Sequence, residues 1–263
     1  MHAVLKDIIS LMITASQEEL VSRFRQVSHT HKADGSLLTE ADLAMQQRMQ
    51  HELQQRWPDT VFLAEEMDRQ VQQDLINDDQ RGMWCLDPLD GTSNYAMGIP
   101  HFAPSLALIE HGQVQLGVVY DPLRDECFSA IRGGGAWLND RPLNLGDEHW
   151  PDEPVIAIID FKRLSPSLAA SLASEPPYKS QRSFGSVALD WCWLAAGRSH
   201  VYLHGRQHLW DYAAGQLVFS EAGGVSSTLQ GEPVFNNTLQ ARTALAAVNQ
   251  ALFENWYQRL QRM

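Results

Sequence analysis

Two strand-like segments end in acid. Val61-Phe62-Leu63 runs on to Glu65 and Glu66, and Met83-Trp84-Cys85-Leu86 runs into Asp87-Pro88-Leu89-Asp90. Pro88 disfavours a continuous helix between the two aspartates, so a turn at the strand end can aim both carboxylates at one point. Their mutual repulsion is costly without a cation. Mg²⁺ suits such a site, because it binds through a few carboxylates plus waters and phosphate oxygens. The carbonyl of Leu89 offers a further oxygen donor. The residues that follow, Gly91-Thr92-Ser93-Asn94, read as a phosphate cradle. Gly91 permits close backbone approach, and a helix starting at Thr92 would turn free N–H groups towards an anion. The Thr92 hydroxyl could orient a water. An ordinary Asx turn capped by Asp87 and Asp90 accounts for the same residues.

Other acids have equally plain readings. Asp211, in Trp210-Asp211-Tyr212-Ala213-Ala214-Gly215, precedes an apolar helix and reads as its N-cap. Asp42 reads as the acidic member of a capping box opened by Thr39. Glu66 reads as a surface glutamate.

The elements that must position these residues follow from periodicity. Apolar residues from Val4 to Phe24 recur at helical spacing, which predicts a first helix to about Gln26. A loop or hairpin covers 29–38, with Asp34-Gly35 inside it. A second helix runs from the Thr39 cap to a stop before Pro58. Segments 101–109, 114–120 and 126–131 read as an antiparallel meander. The polar stretch 144–153 reads as a joint between an N-terminal α+β subdomain (1–150) and a C-terminal α/β subdomain (151–263) of one domain. Beyond it, strands are predicted at 155–159, 201–203 and 244–248, and helices at 165–174, 187–196, 212–222 and 251–260. The stretch 67–81 reads as a loop that either covers the site or joins strands, with a turn at 77–81.

Composition narrows the classes. The 263 residues carry 20 basic and 32 acidic side chains, a formal net charge of −12, and 44% apolar residues. That is a globular composition, and the negative field argues against nucleic acid as a general partner. Cys85, Cys127 and Cys192 form no C-x-x-C pair, which fits a reducing compartment rather than a disulfide scaffold or zinc ribbon. The apolar run 8–15 is too short to cross a membrane. The expectation is a soluble cytoplasmic protein with no membrane partner.

Taken together, Asp87-Pro88-Leu89-Asp90-Gly91-Thr92-Ser93-Asn94-Tyr95, Trp210-Asp211-Tyr212-Ala213-Ala214-Gly215 and Glu221-Ala222-Gly223-Gly224 resemble the inositol monophosphatase family. Lys32, Thr39-Glu40-Ala41-Asp42 and Ala64-Glu65-Glu66 fall in the family's order and spacing, so the resemblance runs to about Gly224. It implies an α+β fold of layered αβαβα type, a homodimer, and lithium-sensitive hydrolysis of a small phosphate ester with two to three Mg²⁺ ions. It implies that Glu65 and Asp87, with the Leu89 carbonyl, hold one ion, and that Asp87, Asp90 and Asp211 hold a second. A third ion leans on Glu65. Asp42 and Thr92 take up the proton of the attacking water, and Glu66 supports the site. Gly91 and Thr92 give N–H groups to the phosphate, with Ser93 in the same cradle. Metal activation of a water and electrostatic support of the phosphoryl oxygens would carry the catalysis without a phosphoenzyme.

The match departs where substrate is chosen. Inositol-specific members carry a glutamate seven residues before the aspartate of the Trp-Asp motif. This chain has His204 there, followed by Arg206, which could meet a second phosphate or a carboxylate. Ser186 and Ala188 fall where members line the pocket, although Gly185 and Ser186 also read as a plain helix start. The expected substrate is a small polyol or sugar phosphate such as an inositol monophosphate. Fructose-1,6-bisphosphatase, histidinol-phosphatase and 3′-phosphoadenosine 5′-phosphate phosphatase activities are the alternatives within the superfamily. A metal-binding regulatory scaffold is the non-enzymatic alternative.

Overall fold

The computed structural model describes residues 1–26, 29–31, 37–78, 81–147 and 149–263. Lys32, the Asp34-Gly35 pair and part of the predicted turn at 77–81 lie outside them. Helix α1 (His2–Ala15) does not run on to Gln26 as its periodicity predicts. It widens into a π-type turn at Ser16–Leu20 and tightens into a 3₁₀ turn at Val21–Arg23. The change falls where the Ser16 hydroxyl donates to the Met12 carbonyl at 2.6 Å, a side-chain bond that bends helices. Strands β1 (His29–His31) and β2 (Leu37–Thr39) pair as a hairpin leading into α2 (Glu40–Arg56).

A seven-stranded sheet follows. Its strands are β3 (Val61–Ala64), β4 (Met83–Asp90), β5 (Ala103–Glu110), β6 (Gln113–Asp121), β7 (Glu126–Ile131), β8 (Gly135–Leu138) and β9 (Arg141–Leu143), ordered as in the chain. Only β3 and β4 are parallel. Between them the 67–81 stretch, read as a loop, holds helix α3 (Arg69–Ile76), capped by Asp68. Helix α4 (Thr92–Ala96) follows β4 directly.

The second sheet is built from β10 (Ile156–Asp160), β11 (Ser180–Arg182), β12 (Val201–Gln207), β13 (Val225–Ser227) and β14 (Arg242–Ala247), in the order β11-β10-β12-β14-β13. Its helices are α5 (Pro166–Ser174), α6 (Val187–Ala195), α7 (Leu209–Glu221) and α8 (Gln250–Gln261). The short strands β8, β9, β11 and β13 had no clear signal in the sequence, being too brief to show alternation.

Strand alternation sorts the core into layers. Trp84, Leu86, Leu106, Leu108, Leu116 and Val118 face α1 and α2, where Ile8, Met12, Met45 and Met49 are buried. Cys85, Ala107, Val119 and Phe128 face the other way, against α6 and α7. The second sheet packs on the far side of those helices, with α8 outside it through Leu252 and Trp256. The result is the expected αβαβα arrangement of two mixed sheets.

Helix α7 is the hinge of this packing because its middle is small. A Cβ on Gly117 of β6 would stand 2.8 Å from the Ala214 carbonyl oxygen, and one on Gly215 would stand 2.8 Å from the Trp191 Cβ in α6. The Ala213-Ala214-Gly215 run therefore lets α7 touch both a strand and a helix at backbone distance.

Candidate active site

The site lies where β3 and β4 end side by side. Their parallel register pairs Ala64 with Leu86, and the Glu65 amide donates to the Leu86 carbonyl at 3.2 Å, so Glu65 leaves the sheet next to Asp87. Helix α3 steadies this edge, since the Gln72 side-chain amide donates to the Ala64 and Glu65 carbonyls at 2.8 and 3.1 Å. The acids of β4 do not sit on a free turn. Strand β4 continues to Asp90, and its pairing with β5 slips between Asp87 and Asp90. A bulge of this kind re-aims side chains. Asp87 keeps one Asx-type bond, accepting from the Leu89 amide at 2.9 Å.

Asp42 enters from the first turn of α2. Its Oδ2 accepts from the Thr39 amide and hydroxyl at 2.7 and 2.6 Å, closing the predicted capping box. This fixes Oδ1, which lies 3.1 Å from the Thr92 hydroxyl. The same hydroxyl lies 2.9 Å from the Leu89 carbonyl oxygen, so one proton has two competing acceptors. Two residues fifty positions apart thus meet as a hydrogen-bonded pair.

Asp211 is placed by α7. It is not the N-cap. His208 caps the helix, which begins three residues earlier than its apolar pattern predicts, and Asp211 occupies the third position, accepting from the His208 amide at 2.8 Å. Asp90 is gripped from α6, because its Oδ2 accepts from the Ser186 hydroxyl and the Ala188 amide, each at 2.6 Å.

These acids are desolvated together. Burial, then Glu65, Asp90 and Asp211, push the Asp87 carboxyl far above its usual range. Burial also lifts Asp211 well above that range, with Asp90 and Glu65 adding to it. Asp90 is pushed up to about 7 by burial, against the pull of its Ser186 and Ala188 bonds. Burial also raises Asp42.

Among the described residues, the groups acting on Asp87 and Asp90 are other acids and hydrogen-bond donors, while Arg163 opposes the rise at Asp211. Among the described residues no three His, Cys, Asp or Glu side chains already close into a metal cage. The donor set is nonetheless hard oxygen, with Asp87 and Asp90 buried and Glu65 and Asp211 half-buried, which is the chemistry that Mg²⁺ fits. A cation there would reverse the cost of burying these charges.

The other predicted residues are distributed unevenly. Gly91 has φ 91°, and a Cβ there would stand 3.0 Å from the His101 carbonyl oxygen, so both conformation and space require glycine. Its amide is engaged by Asp90. Ser93 is exposed on α4. The Glu66 amide donates to Gln46 at 3.2 Å, tying that turn to α2. Ser186 is fully buried, so it supports Asp90 and presents no surface to a ligand.

His204 is 3% exposed and both ring nitrogens are engaged. Nδ1 accepts from the Arg206 amide at 3.2 Å, and Nε2 lies 3.2 Å from Asp160 Oδ2. Arg206 is exposed. Sequence reasoning missed Asp160 and Gln72, and placed Asn94 in the phosphate cradle rather than as a tie between elements. Asn94 ties α4 to the α6 approach by donating to the His101 and Phe184 carbonyls at 2.8 and 2.7 Å. Only the register pairing Asp160 with His204 reveals the first of these, and no local pattern announces it.

Comparison with known proteins gives the chain's family. The model of the inositol monophosphatase family matches residues 2–263. The Nus factor SuhB of Pasteurella multocida is 35% identical over 206 residues, covering 77% of this chain and 75% of that protein. The inositol-1-monophosphatase of Bacillus subtilis is 31% identical over 235 residues, covering 86% of each. Among solved structures, the extragenic suppressor protein SuhB of Bartonella henselae superposes with a TM-score of 0.84 at 29% identity over 99% of each chain.

Proposed function

We propose that this chain, which belongs to the inositol monophosphatase family, hydrolyses the phosphomonoester of a small polyol or sugar phosphate with Mg²⁺ at Glu65, Asp87, Asp90 and Asp211. The observation that carries the proposal is the Asp42–Thr92 hydrogen bond standing beside this set of buried acids. When bound, Mg²⁺ would supply Lewis-acid polarisation and neutralise charge on the phosphoryl oxygens. The Leu89 carbonyl is a further oxygen donor for it.

The protein's own part is proton handling and positioning. Thr39 locks Asp42 through Oδ2, so Oδ1 is left to receive the Thr92 proton. Thr92 can then accept a proton from a water while passing its own to Asp42. Burial raises the affinity of Asp42 for that proton, which favours it as the terminal base. No imidazole is hydrogen-bonded to Thr92 among the described residues, so nothing supports the hydroxyl as a nucleophile. Gly91 and Ser93 frame the start of α4, where the phosphate would lie. Ser186 and Ala188 hold Asp90 in its orientation.

The test is phosphate release from inositol, sugar, nucleotide and histidinol phosphates, with Mg²⁺, with EDTA, and with Mg²⁺ plus Li⁺. Mg²⁺-dependent, Li⁺-inhibited release is expected, and silence across the panel from folded, Mg²⁺-bound protein would sink the assignment. A second reading has one observation in its favour. The Pasteurella relative is named as a Nus factor rather than a phosphatase, which favours an added role through protein contact. A homodimer is part of the proposal. Met97, Ile99 and Leu123 are exposed near Pro100, to whose carbonyl Arg124 donates at 3.0 Å, and a second copy would cover them.

A further inference from the structure

The hydrogen bonds around His204 join two turns into one rigid piece. Asp160, at the end of β10, accepts from the Lys162 amide through Oδ1 at 3.0 Å, which holds the 3₁₀ turn Phe161–Arg163. Its Oδ2 meets His204 Nε2, and His204 Nδ1 accepts from the Arg206 amide. The chain of contacts thus runs from the turn bearing Arg163 to the strand end bearing Arg206. With Nδ1 accepting, Nε2 carries the hydrogen that faces Asp160. No ring nitrogen of His204 is left for a ligand, so what the strand end offers outward is Arg206.

The two turns are also in backbone contact. A Cβ on Gly205 would stand 2.0 Å from the Arg163 carbonyl oxygen, so no side chain fits at position 205. Arg163 and Arg206 are both exposed, and among the described residues neither guanidinium has an ion pair or a hydrogen bond. Elsewhere Arg56, Arg81, Arg124 and Arg198 each close on a carboxylate. The position is next to the acidic site. Arg163 is within electrostatic reach of Asp211, and both arginines are within reach of His208, whose amide holds Asp211 and whose ring also feels Glu65 and Arg69.

We infer that Arg163 and Arg206 form a paired clamp beside the carboxylate site that takes a second anionic group, a phosphate or a carboxylate, carried by the substrate. The inference rests on the phosphomonoesterase reading and names the substrate class within it: esters with a second anion are preferred over neutral polyol phosphates. The backbone contact at Gly205 keeps the two turns that carry these arginines together, and guanidinium groups suit a planar or tetrahedral oxyanion by forked hydrogen bonds. The Asp160–His204 pair acts as a positioning device, not as a reader of hydroxyls.

The test uses matched esters in Mg²⁺: fructose 1-phosphate against fructose 1,6-bisphosphate, and glycerol 3-phosphate against 3-phosphoglycerate. The first pair reads a second phosphate and the second pair a carboxylate. Wild-type protein is expected to favour the bis-anionic member of at least one pair about ten-fold or more in kcat/KM. Arg163→Gln and Arg206→Gln should each bring that ratio towards one, mainly through KM, and added salt should lower it in the wild type. His204→Ala, which frees the Arg206 turn, should weaken the preference less. Arg56→Gln, at a paired surface arginine, should keep the wild-type ratio.

Titration calorimetry of the same four compounds reads the same ratio as Kd. If no ester is turned over but the bis-anionic members still bind more tightly to wild type than to the two arginine variants, the phosphatase reading fails and the clamp stands. A ratio near one for both pairs in the wild type, or an unchanged ratio in both arginine variants, overturns the clamp.

Discussion

Asp42 and Thr92 are the residues on which the chemistry turns, and their contact is the detail most exposed to test. Thr92→Val keeps the shape of the side chain and removes its hydroxyl, which among the described residues is hydrogen-bonded to Asp42 and the Leu89 carbonyl. Loss of a positioned proton acceptor should lower kcat by roughly 10²–10⁴-fold. Thermal melting should stay near wild type, because the capping bonds from Thr39 to Asp42 are untouched. A kcat within a few-fold of wild type would remove Thr92 from the proton path. At this scale the sequence was most legible for acids and least for what holds them. Asp87, Asp90 and Asp211 stand in recognisable words, and the Thr39 capping box is local. Ser186, by contrast, grips Asp90 across 96 positions, and Asp160 meets His204 only through strand register. Contacts made by folding leave no periodicity to read.

The elements do their positioning through close approach rather than bulk. Helix α7 reaches β6 and α6 over Ala213-Ala214-Gly215, and carries Asp211 in its first turn. Gly117→Ala would set a methyl 2.8 Å from the Ala214 carbonyl, against backbone that cannot swing aside. It should destabilise by about 1–3 kcal/mol and lower activity by shifting Asp211. Denaturant unfolding and initial rates check both. Unchanged stability would mean that α7 has room to move. Because α7 belongs to the 151–263 segment yet packs on the sheet of the 1–150 segment, we propose that both unfold in one transition. The strongly alternating strands and apolar helices were readable beforehand. The bulge in β4, the early start of α7 and the helix inside 67–81 were not, since each depends on what packs against it. In α3 that partner is the β3 edge, reached by Gln72.

For the whole molecule, the buried acids make stability depend on metal and pH together. Asp90 is pushed up to about 7 without a cation. Between the ordinary carboxylate range and about pH 7 the folded chain holds protons that the unfolded chain has released, so metal-free stability falls as pH rises through that window. Mg²⁺ competes with those protons. The rise in melting temperature on adding Mg²⁺ should therefore be small at pH 5 and grow towards pH 8. A rise independent of pH would argue against binding at these carboxylates. Assembly is tested separately. Met97 and Ile99 are 60% and 48% exposed, and changing both to Asp should turn the proposed dimer into a monomer in sedimentation. A wild-type monomer would remove the homodimer from the proposal. Among the described residues no helix is long and apolar enough to cross a membrane.

The most direct measurement is the rate of phosphate release from inositol 1-phosphate and fructose 1,6-bisphosphate in Mg²⁺, for wild type and Asp90→Asn side by side. The carboxylate of Asp90 sits among hydrogen bonds from α6 rather than in the apolar core, so the variant should stay folded. Wild type should release phosphate only with Mg²⁺ present, and Asp90→Asn should be slower by about 100-fold or more. Release that ignores Mg²⁺, or a folded Asp90→Asn variant with wild-type turnover, would contradict the account.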